Sequence, residues 1–221
     1  MINPALLPDQ PLWVSIGHGK PLSMDWAAYN AASIGGGWNS RRGAVGIWTS
    51  GDKLYSESIV SIALAQVIRH RLTAGLAMSY HSIDIQNFPS GRNHFLLDGA
   101  LATSLSTNID VSIWYSGQAL RREESYTNPT RQLFQLAITG RISNALSGSI
   151  ALEKTPPFAL REGIELTITS QQDLILFLGY RTAPETPSLG VQVPIGRMIL
   201  SYRLIAHPTL GLSTAFGLVV K

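Results

Sequence analysis

The stretch that decides the fold is Leu72-Thr73-Ala74-Gly75-Leu76-Ala77-Met78-Ser79-Tyr80-His81. Leu72, Ala74, Leu76, Met78 and Tyr80 alternate strictly with Thr73, Gly75, Ala77, Ser79 and His81. Successive side chains of a strand point to opposite faces, so this segment reads as a strand with one fatty and one small or polar face. The pattern recurs downstream. Leu97, Leu101 and Leu105 oppose Asp98, Ala100, Ala102, Ser104 and Ser106, and Ile109, Val111, Ile113 and Tyr115 oppose Asp110, Ser112, Trp114 and Ser116. Leu146, Ile150 and Leu152 face away from Ser147, Ser149 and Glu153; Ile164, Leu166 and Ile168 face away from Gly163, Glu165, Thr167 and Thr169.

The second face of each segment separates lipid from water. A soluble sheet hides its apolar face and shows water a face rich in Lys, Glu, Asp and Arg. Here the second face is mostly Ser, Ala, Gly and Thr, which suits the lining of a narrow lumen. The apolar face also carries Tyr80, Tyr115, Tyr180 and Tyr202 towards segment ends, where an interfacial girdle is expected. The expected fold is all-β: a closed, antiparallel, up-and-down transmembrane barrel. A soluble β-sandwich is the competing reading.

Composition agrees. Of the 221 residues 45% are hydrophobic and 14% charged, against about 25% charged in an average soluble domain. No apolar run reaches the roughly 18 residues of a membrane helix; Ile59-Val60-Ser61-Ile62-Ala63-Leu64-Ala65 is typical. The chain has no cysteine, which excludes disulfides, thiolate metal sites and cysteine nucleophiles. A net charge of +3 without a basic stripe argues against nucleic acid; Arg121-Arg122 runs straight into Glu123-Glu124.

Turn signals punctuate the strands: Ser50-Gly51-Asp52, Pro89-Ser90-Gly91, Thr127-Asn128-Pro129, Pro156-Pro157 and Ala183-Pro184-Glu185-Thr186-Pro187. Very short links, Ser106-Thr107-Asn108 and Ser143-Asn144, alternate with longer ones, as in a barrel with tight turns at one rim. At roughly 9–11 residues per crossing the count is about fourteen strands, the first three near residues 11–19, 28–38 and 41–50. Residues 1–221 form one barrel domain in this reading, with 1–10 a short N-terminal segment. Met1-Ile2-Asn3-Pro4-Ala5 shows no basic region followed by an apolar one, so no signal peptide is read there; either the form is mature or truncated, or the membrane reading is wrong.

The final third resembles a family. Gly179-Tyr180-Arg181, Pro187-Ser188-Leu189-Gly190-Val191, Ile199-Leu200-Ser201-Tyr202-Arg203, His207-Pro208 and Leu210-Gly211-Leu212-Ser213 are similar to the closing strands of PorV/PorQ-like proteins. Asn3-Pro4-Ala5-Leu6-Leu7 resembles the Asn-Pro-Ala-Gly-Leu motif of that family, and Arg161-Glu162-Gly163-Ile164-Glu165 its Arg-x-Gly-x-Glu strand. These are outer-membrane barrels of Bacteroidota and relatives, related to FadL-type barrels. The resemblance implies fourteen strands and a non-enzymatic accessory role in type IX secretion or cell-surface assembly, docked to a larger membrane or secretion complex. The alternative is a FadL-like channel for small hydrophobic solutes. The segment that usually precedes Asn-Pro-Ala is not seen, so a plug built from it is expected to be missing.

The residues expected to face the lumen are Asp98, Asp110, Arg141, Glu153, Glu165, Arg181 and Arg203, with His81 and His207. Glu153 and Glu165 could be written as a hydrolytic carboxylate pair, but pairing with Arg or Lys in a low-dielectric interior is the better reading. The five histidines show no H-x-x-x-H spacing, so no metal site is expected. His207-Pro208 reads as a turn. Gly17-His18-Gly19-Lys20 lacks phosphate-loop spacing, and Gly35-Gly36-Gly37 is read as strand curvature. No Gly-x-Ser-x-Gly elbow is present, and a Ser–His pair for a phospholipase has no candidate. No cofactor and no catalytic residue are expected; the environment expected is outer-membrane lipid.

Overall fold

The computed structural model describes residues 3–24, 27–69, 71–87, 92–119, 132–155 and 159–221. The turn signals at Pro89-Ser90-Gly91, Thr127-Asn128-Pro129 and Pro156-Pro157, the Arg121–Glu124 charge cluster and His70 lie outside these.

Fourteen strands follow one another: β1 (Trp13–Lys20), β2 (Tyr29–Trp38), β3 (Arg41–Gly51), β4 (Tyr55–Arg69), β5 (Leu72–Ile85), β6 (Arg92–Ser104) and β7 (Ile109–Ala119), then β8 (Leu133–Arg141), β9 (Leu146–Lys154), β10 (Leu160–Thr169), β11 (Ile175–Arg181), β12 (Thr186–Ile195), β13 (Met198–His207) and β14 (Gly211–Val220). Each pairs antiparallel with its neighbour in sequence, and β1 closes on β14 from Val14↔Val220 to Lys20↔Thr214. Closure leaves no strand edge with unpaired N–H and C=O groups, which is what a sheet requires in a solvent that cannot hydrogen-bond.

The distribution of side chains is inverted relative to a soluble protein. Among the described residues, the buried set is mostly small: Ala63, Ala65, Ala77 and Ala100, with Ser79, Asp98 and Ser116. The large aliphatics are exposed, Leu64 and Leu76 each at 64%. In water such a continuous apolar exterior would aggregate; against acyl chains it is the stable arrangement. Cross-strand outward pairs Tyr80↔Phe95 and Tyr115↔Phe134 lie towards the ends of their strands that lead into β5–β6 and β7–β8 connections. The Tyr80 and Phe95 rings are 5.1 Å apart, in the range of favourable aromatic contact. The chain is a transmembrane β-barrel with the architecture of the bacterial outer membrane.

The lumen holds a plug, and Asn-Pro-Ala-Leu-Leu itself supplies it. Pro4–Leu6 forms a single 3-10 turn in which Asn3 Oδ1 accepts from Ala5 N at 3.0 Å and Asn3 O accepts from Leu6 N at 3.1 Å. Pro4 fits because the first helical position needs no N–H donor. Leu7, 1% exposed, packs with Trp13, Ala63, Ala65 and Ala77, while Ala5 packs with Ala100 and Trp114. The apolar five-residue segment therefore bridges the inner faces of β4 to β7. Small residues make the space: a Cβ on Gly75 would lie 2.5 Å from backbone atoms of Pro4 and Ala5.

The glycine run at 35–37 is explained by the residues that lead from this segment into β1. A Cβ at Gly35 would meet the Trp13 ring at 2.5 Å, and one at Gly36 the Pro11 carbonyl oxygen at 2.3 Å. Gly37 N donates to Gln10 O at 2.6 Å. Close approach of the incoming chain, rather than curvature, is what demands glycine there.

Candidate functional site in the lumen

The lumen wall has two chemically distinct sectors. Along β9 to β13 it is charged. Arg203, on β13, reaches across β12 and β11 to hydrogen-bond and ion-pair with Glu165 on β10, and its Nη2 also donates to Ser188 Oγ at 3.2 Å. Its path crosses Gly190 and Gly179; the nearest approach of a Cβ on Gly179 to the guanidinium would be 3.5 Å. Glycines thus let one long side chain lie flat against the wall. Arg161 stands 3.8 Å from Glu153 on the adjacent strand. The two glutamates each face an arginine, the pairing expected where charge is neutralised in a low-dielectric interior.

The other residues singled out from the sequence are dispersed. Asp98 is buried at 3% exposure, next to Ser116 on β7. Its Oδ1 has no hydrogen-bond partner among the described residues. Asp110 and Arg141 stand at the short-turn rim, where Asp110 Oδ1 accepts from Ser104 Oγ at 2.6 Å. Arg181 ends β11 opposite Gly163. His207 Nδ1 accepts from Thr209 N and Leu210 N, both at 3.2–3.3 Å, and so builds the β13–β14 turn.

On the β2 to β6 sector the lining is aromatic and imidazole-bearing. Tyr29 and Trp48 stack at 6.1 Å between centroids. Beside them runs a hydrogen-bonded string. Tyr55 Oη donates to Glu57 Oε2 at 3.1 Å, Glu57 Oε1 meets His81 Nε2 at 2.5 Å, and His81 Nδ1 meets His94 Nε2 at 2.8 Å. Sequence reasoning placed His81 on the lumen face but missed the string. Its members are brought together by the register of β4, β5 and β6, with His81↔His94 directly opposite. Adjacent-strand histidines have no characteristic spacing, so an i, i+4 search cannot find them.

Between the plug and the short-turn rim lies a cavity of about 450 Å³, lined among others by Ala5, Leu6, Arg42, Arg71, Thr73, Ala102, Asp110 and Thr139. Arg42 fixes its roof: Nη1 donates to Leu7 O at 2.9 Å, and Nε lies 3.3 Å from Asp9. Among the described residues no group of three or more His, Cys, Asp or Glu side chains is arranged to hold a metal ion.

These features define a lumen-bearing membrane barrel with a small internal plug, and known structures share the fold. The toluene transporter TodX of Pseudomonas putida aligns with a TM-score of 0.70 at 9% identity, over 99% of this chain and 91% of that one. Outer membrane protein Omp33 of Acinetobacter baumannii aligns at 0.64 and 8% identity, over 96% and 98% of the two chains. A KdgM porin aligns at 0.54 and 8% identity, over 95% and 98%. No family profile and no curated protein sequence matches the chain.

Proposed function

We propose that the protein is a non-enzymatic outer-membrane channel for small, largely apolar solutes. The observation that carries this reading is the organisation of the lumen. Around Ala5 and Leu7 the wall is lined mainly by small residues, Ala63, Ala65, Ala77 and Ala100, beside Trp13 and Trp114, and the five-residue segment docks there above a cavity of about 450 Å³. A barrel serving only as a scaffold has no need of a lumen spacious enough to be plugged. The Tyr29–Trp48 stack offers a flat apolar surface for a guest ring. The similarity to a toluene transporter supports the same class of cargo.

Proteoliposomes test the proposal. The reconstituted barrel is expected to admit a small monoaromatic solute faster than protein-free vesicles, and to discriminate against a sugar of similar mass. Equal rates with and without the barrel would end this reading.

The accessory role in type IX secretion, implied by the family resemblance, predicts a different outcome. There the barrel would leave the membrane in mild detergent with a stable protein partner and would show no solute flux.

A further inference from the structure

We infer that His81 and His94 form a binding site for a late divalent transition metal, facing the lumen and oriented by Glu57. Two imidazoles on adjacent strands present nitrogen to nitrogen, His81 Nδ1 to His94 Nε2, at 2.8 Å. Their rings are 74° apart in plane, with centroids 4.5 Å apart. Imidazole nitrogen suits zinc, nickel and copper, whose bonds to it are roughly 2.0–2.1 Å long. A bridging ion therefore needs the two nitrogens to part by about half an ångström and both rings to turn off the line that joins them, so that the two lone pairs converge on the metal.

The surroundings of His81 carry the argument further. A metal-binding histidine commonly donates its remote ring N–H to a carboxylate, which fixes the tautomer and strengthens the ligand. Glu57 Oε1 stands 2.5 Å from His81 Nε2, so the proton sits on Nε2 and the Nδ1 lone pair points at His94. Tyr55 Oη holds the other carboxylate oxygen at 3.1 Å, giving a tethered outer shell. Without metal, His94 Nε2–H donates to His81 Nδ1. With metal, that proton moves to His94 Nδ1, and both facing nitrogens become ligands without net proton release.

The chain supplies two ligands, and water or a solute in the lumen completes the coordination. This accounts for the lack of a three-residue metal cluster among the described residues. It also makes the site an open one, able to take a donor atom from a passing molecule. The inference does not depend on transport, because metal binding and solute flux are measured separately.

Copper(II) is the probe, being the strongest binder of the divalent series. Titration of the detergent-solubilised barrel is expected to show one site, and its electron paramagnetic resonance spectrum two equatorial nitrogens. H81Q and H94Q should each weaken binding at least about tenfold, and E57Q about tenfold through loss of the outer-shell carboxylate. H18Q and H207Q, distant on the outer face and in a turn, should leave it unchanged. Spectra with fewer than two nitrogens, or affinity unaltered in H81Q and H94Q, would overturn the site. The spectrum is recorded on the unmutated barrel, so a variant that fails to fold leaves the test intact.

Discussion

Gly75 and Pro4 meet backbone to backbone inside the barrel, close enough that a single methyl group at Gly75 would fall 2.5 Å from the Pro4 carbonyl carbon. The contact joins the wall of β5 to the plug without any side chain between them, so the seat of the plug is cut to the width of a bare backbone.

Loosening the plug should open the lumen. Leu7 is its buried anchor, and Leu7→Ala is expected to weaken docking by about 2 kcal/mol. That corresponds to roughly a 30-fold rise in the undocked fraction. Gly75→Val should displace the segment by overlap. Both variants are expected to raise single-channel conductance in planar bilayers while leaving the gel migration of the folded barrel unchanged; unaltered conductance in both would show that the segment does not limit passage.

The Arg203–Glu165 pair should set ion preference more than stability. Each side chain is about a third exposed, so loss of the pair is expected to cost at most about 1 kcal/mol. Arg203→Ala leaves Glu165 unneutralised in the lumen and should shift the reversal potential towards cations. Glu165→Gln should shift it towards anions, and the double variant should lie near the parent.

The two faces of the wall should respond oppositely to charge. Leu76 points outward at 64% exposure, and Leu76→Arg is expected to cost roughly 2–4 kcal/mol if the residue lies at the bilayer midplane. Ser149→Arg, on the lumen face of β9 opposite Glu165, should change stability by less than about 0.5 kcal/mol. Denaturant titration of barrels refolded into vesicles measures both. Equal costs would contradict the assignment of faces.

Much of this was legible in residue order, and the reasons are local. Leu72 to His81 displays its two faces by alternation alone, and Asn108 or Ser143-Asn144 marks a turn without help from the rest of the chain. The plug was not legible in the same way. Asn3-Pro4-Ala5-Leu6-Leu7 has no period, and its burial depends on Ala63, Ala65, Gly75 and Ala100, residues chosen for smallness on strands far along the sequence. Glu165 could be expected to find an arginine, but not Arg203, because the pair spans two intervening strands and exists only through the glycines between them. The His81–His94 contact is likewise a product of register.

The seam between β1 and β14 has a consequence in time. The barrel is joined by β1 and β14, Val14 against Val220, so the cylinder cannot exist until β14 is in place. Until that moment the polypeptide is a growing ribbon with two bare borders and a greasy exterior. Both borders can pair wrongly until β14 docks on β1; after that, the same apolar residues that made the ribbon sticky hold it in the bilayer.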